Sequence, residues 1–215
     1  GIFVGEAFLF WGAPNISKTR VTSSNQQICR VDRESDSDSY SPDLSVLQEN
    51  LISKIDSSDV VIVSDYGKGF VSNELFRMVR KNAKFVSVDP KPSRLLEYES
   101  PDLLTPNRME ALELAGKSRL MKEEFPQSEV VEEIFRKFSP AKLAITLGAD
   151  GMLLAEGEEI KKTIPTAARE VFDVSGAGDT VIAVLSMALV ASGNFEQSAQ
   201  LANLAAGIVV GTVGT

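Results

Sequence analysis

Three short apolar runs, each continuous and not alternating, constrain this chain more than any other feature. They occupy residues 59–64 (DVVIVS), 84–88 (KFVSV) and 142–146 (KLAIT), are rich in branched aliphatic residues, and are bounded by polar ones. Runs of this length and composition read as strands. Continuous apolarity along a strand implies that both of its faces are covered. Between the runs lie helical patterns: 42–55 behind a Ser41 cap, 72–81, 108–115 ending before Gly116, and 127–138. Strands alternating with helices of this length predict a parallel, doubly wound α/β sheet. The opening Ile2-Phe3-Val4 reads as a first strand, because the first basic residue is Lys18 and a signal peptide needs a positive n-region.

The last third has a different texture. From Thr180 to Thr215 only Glu196 is charged, and Ser192-Gly193-Asn194 supplies a turn, so two nearly all-apolar helices are expected, both buried. Gln197, Gln200, Asn203 and several glycines make this stretch a poor membrane span. Residues 34–45, rich in Ser and Asp, are expected to form a mobile loop without chemistry. No repeat or linker interrupts the 215 residues, which fit one α/β domain.

Two absences narrow the chemistry. There is no histidine, which excludes a Ser-His-Asp or Cys-His hydrolase, a His-ligated metal and an imidazole base, so proton transfer falls to carboxylate, Lys or Tyr. The lone Cys29 forbids an intrachain disulfide, fits a reducing cytoplasm, and is expected to be a buried thiol. Thirty acidic against 22 basic residues give a formal charge of −8, which disfavours a protein that tracks a nucleic-acid backbone. An anionic substrate needs a local basic patch.

The sharpest local signal is Asp173-Val174-Ser175-Gly176-Ala177-Gly178-Asp179-Thr180, immediately before an apolar helix. Glycines at such a junction turn backbone N–H groups toward an anion, and the helix dipole adds to the attraction. Asp179, in the first turn beside that anion, is the best candidate general base for a hydroxyl nucleophile in a chain without histidine. The alternative is a plain glycine turn with an ordinary helix-start Asp. A Walker loop does not fit, and the dinucleotide fingerprint fails because Val181 stands where its third glycine belongs.

Gly176-Ala177-Gly178-Asp179 resembles the C-terminal signature of the ribokinase-like (PfkB-type) carbohydrate kinases, and four more segments follow in family order. Thr105-Pro106-Asn107-x-x-Glu110 looks like the Asn-x-x-Glu motif, Asp89-Pro90-Lys91 the strand end near the nucleotide phosphates, Thr146-Leu147-Gly148-Ala149-Asp150-Gly151 the nucleotide turn, and Ala202-Asn203-x-x-Ala205-Ala206-Gly207 the helix passing the adenine. The resemblance implies a three-layer α/β/α sandwich on a mostly parallel sheet, with ATP and Mg²⁺ as cofactors. It makes Gly176, Ala177 and Gly178 an anion hole and Asp179 the base. ATP would meet Thr146, Gly148, Gly151 and Asn203, with Asp89 and Lys91 near its phosphates, and Asn107 and Glu110 would stand in the outer shell of Mg²⁺. For Asn107 and Glu110 the structural alternative is a capping box.

Further phrasing is similar to the branch of that family that phosphorylates O1 of D-glycero-D-manno-heptose 7-phosphate: Thr19-Arg20-Val21, Ser24-Asn25-Gln26-Gln27-x-x-Arg30-x-Asp32, and Ser64-Asp65-Tyr66-Gly67-Lys68-Gly69. Lys68, Arg20 and Asn25 are therefore the candidate contacts to a phosphorylated sugar, with solvated surface charge as the alternative for Lys68 and Arg20. A kinase for ribose, fructose or a nucleoside is the nearest other enzyme, and a nucleotide-binding remnant without catalysis is the non-enzymatic one. The chain departs from the pattern near its start, where Phe10 stands near the position of a sugar-binding Asp and Trp11-Gly12-Ala13-Pro14 runs almost directly into Lys18-Thr19-Arg20. One kinase domain over 1–215 is thus expected, with most of the acceptor segment and small β lid missing between about 11 and 18. The resemblance implies a cytoplasmic enzyme, active without nucleic acid or membrane, and a homodimer built through the lid.

Overall fold

The computed structural model describes residues 14–23, 26–92, 96–118, 125–167 and 176–211. The expected first strand at Ile2-Phe3-Val4, Phe10, the Trp11-Gly12-Ala13 junction, Asn25 and Asp173-Val174-Ser175 lie outside them. The described chain opens with an antiparallel ribbon of β1 (Ser17–Ser23) and β2 (Gln26–Arg33), with a bulge between Val21 and Thr22. After it come α1 (Leu44–Asp56), β3 (Val61–Ser64), α2 (Asn73–Asn82), β4 (Val86–Asp89), β5 (Leu103–Leu104), α3 (Arg108–Leu114) and α4 (Gln127–Phe138). β6 (Lys142–Thr146), β7 (Met152–Glu156), β8 (Glu159–Ile164), α5 (Ala177–Ser192) and α6 (Phe195–Val210) complete it.

Strands β3 to β8 form one sheet in chain order; β3 through β6 run parallel, and the β7–β8 hairpin extends it antiparallel. The side-chain period of two sorts the apolar runs onto both faces. Leu104, Leu143, Ile145, Leu153 and Ala155 join a core with α2, α3 and α4, whereas Leu103, Ala144, Met152 and Leu154 join a second core with α5 and α6. The result is the expected three-layer α/β/α arrangement, and it explains why the strand runs are apolar without alternation.

Helix starts follow the capping residues, with one correction. The Ser72 hydroxyl accepts from the Leu75 N–H at 3.1 Å to start α2, but α1 is capped by Asp43, which accepts from the Ser45 N–H at 3.0 Å, and not by Ser41. The Ser41 hydroxyl donates to the Gly69 carbonyl instead, at 3.2 Å, so it tethers a loop. Residues 34–45 are correspondingly not one loop: a 3-10 turn spans Ser37–Tyr40 and α1 begins at Leu44.

Two further expectations are corrected. Cys29 is exposed, because among the described residues no helix or sheet layer covers the β1–β2 ribbon at that point. The two final helices are half buried: Val181, Leu185 and Leu189 of α5 and Ala199 and Ala202 of α6 face the sheet, while Met187, Leu201, Leu204 and Ile208 are exposed. Their uniform apolarity hides a single packed stripe. Finally, no helix among the described residues is long and apolar enough to cross a membrane.

Helix α5 is fixed over the sheet by a polar contact inside the apolar layer. Ser186 donates to the Ser87 hydroxyl of β4 at 2.6 Å, with both residues fully buried. A buried hydroxyl left alone costs about 1–3 kcal/mol, whereas removing both partners is close to neutral. Urea unfolding should therefore show Ser186→Ala destabilised by that amount, and the Ser87→Ala/Ser186→Ala double variant recovering most of the loss.

Candidate active site

In a parallel sheet the strand ends of one sense share an edge, and here that edge collects polar residues. Asp65 follows β3, Asp89 ends β4, Thr105 follows β5 and Thr146 ends β6. The N-terminus of α5 and the head of α3 lie along the same edge: Tyr66 donates to Asp179 Oδ1 at 3.0 Å, and the Asn107–Thr146 bridge continues the parallel ladder. Open α/β sheets hold ligands at this edge.

Two groupings meet there. The first is a cluster of carboxylates. Asp65 is buried and accepts from the Tyr98 hydroxyl at 2.6 Å and from the Gly67 N–H at 2.7 Å. Glu110, also buried, accepts from Lys91 Nζ at 2.9 Å and from the Asn107 N–H at 3.0 Å. Asp89 stands between them. Its burial, then the charges of Glu110 and Asp179, push the Asp89 carboxyl up to about 7; Lys91 opposes this and Asp65 adds to it. Burial and the bond to Asp65 likewise raise the Tyr98 phenol, so it stays a donor.

The second grouping is a cleft of about 440 Å³ on the α5–α6 side, lined by Thr146, Gly148, Gly151, Met152, Ala177, Gly178, Val181 and Asn203, with Ala206, Gly207 and Val210. The lining is mostly apolar with a few polar groups, as small-molecule clefts are. Asn203 donates across it to the Pro165 carbonyl at 2.7 Å. Gly176, at φ 75°, caps α5 in the left-handed conformation without a side chain, which leaves the first helical N–H groups at the mouth of the cleft.

The structure thus brings together Thr146, Gly148, Gly151, Ala177, Gly178 and Asn203 in the cleft, and Asp89, Lys91, Asn107, Glu110 and Asp179 at the adjoining cluster. Asn107 and Glu110 form a full capping box: Asn107 Oδ1 accepts from the Met109 and Glu110 N–H groups while Glu110 reaches back. Both are engaged in the helix cap, and among the described residues no group of three or more His, Cys, Asp or Glu could hold a metal directly. The donor set fits a cation held mainly by water and phosphate, since an excess of neighbouring carboxylates invites positive charge. Lys68 pairs with Glu34, a residue expected to carry no chemistry. Arg20 lies exposed on β1 opposite Arg30, with no ion pair among the described residues; Asn25 is outside them.

From sequence alone Asp65 and Tyr66 belong to the Ser64-Asp65-Tyr66-Gly67-Lys68-Gly69 segment without an individual role, and Tyr98 and Lys18 carry none. The first two directly follow an apolar strand, which was signal enough to place them at the ligand edge. Tyr98 and Lys18 come from chain-distant segments, and nothing local marks them; Lys18 Nζ lies 5.8 Å from the centroid of the Tyr66 ring.

Gly151 owes its identity to packing. Its φ is +88°, and a Cβ there would lie 2.0 Å from the Ile164 carbonyl oxygen at the end of β8. Gly151→Ala is expected to lower stability by at least about 2 kcal/mol in urea unfolding and to distort the cleft. For Asp89, the raised folded value means that the native state holds the proton more tightly than the unfolded chain. Its contribution is fully present below the ordinary 3.8 and is lost as pH rises through about 7. Compared at about pH 5 and about pH 8, Asp89→Asn should therefore gain on the wild type by more than about 1 kcal/mol at the higher pH.

The pfkB family carbohydrate kinase profile matches residues 12–215. The bifunctional protein HldE of Desulfatibacillum aliphaticivorans is 38% identical over 208 residues, covering 95% of this chain and 42% of that protein. The chain spans less than half the length of the curated relatives it matches. Among solved structures, ribokinase from Giardia lamblia superposes with a TM-score of 0.75 at 22% identity, over 95% of this chain and 68% of that one. Arabidopsis thaliana ribokinase complexed with ribose and ATP gives 0.65 at 22% identity, over 78% and 54%. With the fold, the glycine junction and the profile in agreement over nearly its whole length, the chain belongs to the pfkB family of carbohydrate kinases.

Proposed function

We propose that the chain is an ATP-dependent sugar kinase acting on a phosphorylated sugar, most specifically at O1 of D-glycero-D-manno-heptose 7-phosphate. One observation carries the reading: Ala177 and Gly178 line the cleft, and the next residue, Asp179, faces the carboxylate cluster through Tyr66. A nucleotide seated in the cleft would bring its terminal phosphate to the first N–H groups of α5, one residue from a carboxylate. Phosphoryl transfer asks a protein chiefly for such positioning and charge stabilisation. Asp179 takes the proton of the attacking sugar hydroxyl as its oxygen bonds to phosphorus. Asn107, Glu110 and Asp89 would lie around the hydration shell of Mg²⁺, which when bound neutralises phosphate charge.

The acceptor side rests on the HldE relatives, on Arg20 and on Lys68. Lys68 is already paired with Glu34, so a sugar phosphate would exchange one anion for another at that ammonium. The Arabidopsis neighbour in complex with ribose and ATP supports the nucleotide and the sugar class. We place the reaction in the cytoplasm, on one kinase domain over residues 1–215, and keep the lid-built homodimer as part of the proposal.

A second reading, a nucleotide-binding remnant, is favoured by one feature. The family pattern lapses near the start of the chain, where Trp11-Gly12-Ala13-Pro14 runs almost directly into Lys18-Thr19-Arg20. ADP release over a panel of phosphorylated and free sugars separates the two. The kinase reading expects turnover with a heptose 7-phosphate and a loss of about a thousandfold or more in kcat in Asp179→Asn, with ATP affinity retained by calorimetry. Turnover with another sugar alone removes the heptose assignment. ATP binding with no turnover on any sugar establishes the remnant.

A further inference from the structure

The Tyr66–Asp179 contact is not explained by the needs of the fold. Tyr66 is exposed, it follows β3 at the ligand edge, and its hydroxyl reaches a residue 113 positions later in the chain. Asp179 occupies the third helical position of α5, where an acid ordinarily folds back on the helix cap. Here it accepts from a phenol belonging to another layer. A carboxylate has two oxygens; Tyr66 holds Oδ1, and among the described residues no donor is bound to Oδ2. The Lys18 ammonium lies over the Tyr66 ring, which pins the ring from the side of the β1–β2 ribbon.

Resting on the reading of Asp179 as base, we infer that Tyr66 is a positioning residue: its hydroxyl fixes Oδ1 so that Oδ2 is presented to the sugar hydroxyl. A carboxylate free to rotate about its last torsion meets the hydroxyl only part of the time, and removing that freedom lowers the barrier without changing ground-state binding. The charged and titratable groups around the phenol are Asp179 on α5, Asp89 at the end of β4 and Lys18 on β1, with the Ser64 hydroxyl on β3. Burial and then the bond to Asp179 raise the Tyr66 phenol, so it remains protonated and able to donate throughout the neutral range.

Two measurements on the full chain test this. In steady-state kinetics Tyr66→Phe, which keeps the ring beneath Lys18, is expected to lower kcat about ten- to a hundredfold with KM for sugar and for ATP within about threefold. Wild-type kcat in that variant, or a loss confined to KM, overturns the proposal. The second measurement needs no turnover. Of the three tyrosines, the Tyr66 phenol is isolated as the ultraviolet titration difference between wild type and Tyr66→Phe. In an Asp179→Asn background the same difference should move down toward the ordinary tyrosine value, and an unmoved titration overturns the proposal whatever the kinetics. If Asp179→Asn keeps wild-type turnover while that titration shifts, the contact is real but Asp179 is not the base; that outcome overturns the functional reading as well and is distinguishable from failure of the Tyr66 contact.

Discussion

A parallel strand covered on both faces can place an unpaired polar or charged side chain only at its ends; a polar group inside needs a partner, as Ser87 has in Ser186. In this chain Val63, Val88, Leu104 and Ile145 are all buried in the first core, and the residue next to each of them or one further on is Ser64 and Asp65, Asp89, Thr105, and Thr146. Because β3 to β6 run in the same direction, these residues arrive at one edge together. The site is therefore a consequence of how the sheet is buried. The same constraint sends α5 and α6 to the opposite face from α2 to α4, so the cleft and the carboxylates meet over the strand ends and not on a helix surface.

Such an edge gathers like charges, and the structure answers each in a different way. Asp65 is satisfied by a phenol and a backbone N–H, Glu110 by an ammonium and the N–H that it helps to cap, Asp179 by Tyr66. Asp89 is buried and left with three acidic neighbours and one partial counterion, and burial first, then those charges, raise its proton affinity. A region in which a buried carboxyl beside ionised neighbours holds its proton up to about neutral pH stores electrostatic repulsion. Binding a polyanion there would be unfavourable without accompanying positive charge, and in a kinase the divalent cation that travels with the nucleotide supplies it. On the proposed reading, the acidic cluster and a divalent cation arriving with the nucleotide would balance each other.

Much of the layer pattern could be read from the chain alone, because it depends on local periodicity. The run at 142–146 and the helix at 127–138 coincide with β6 and α4, and the capping box at Asn107 was visible as a residue pattern. The glycine junction and the cleft-lining Thr146, Gly148, Gly151 and Asn203 were legible because each belongs to a short motif. What failed depended on distant neighbours. Cys29 was expected inside because thiols usually are, yet nothing in β2 records that its ribbon stands apart from both cores. The helices α5 and α6 look buried all round because their exposed positions are also apolar, and composition cannot say which stripe meets the sheet. Tyr98 and Lys18 became part of the site only through contacts with residues tens of positions away.

The geometry of α5 links the two halves of the site more rigidly than a loop could. In a helix successive residues rise about 1.5 Å, so Ala177, Gly178 and Asp179 all fall within the first turn, about 5 Å along the axis. Cleft lining and carboxylate are thereby held in fixed register by backbone hydrogen bonds, including the one from the Thr180 N–H to the Gly176 carbonyl at 2.9 Å. The left-handed Gly176 brings no side chain of its own to the helix end, and a Cβ at Gly178 would meet nothing within 4 Å. Further along, Leu185 and Leu189 pack in the core and Ser186 bonds to β4, so the helix cannot slide without breaking buried contacts. Any displacement of α5 would move the cleft wall and Asp179 together. The distance between a bound anion and the carboxylate is thus set by the pitch of one helix, while the distance from that carboxylate to the sheet edge is set by Tyr66.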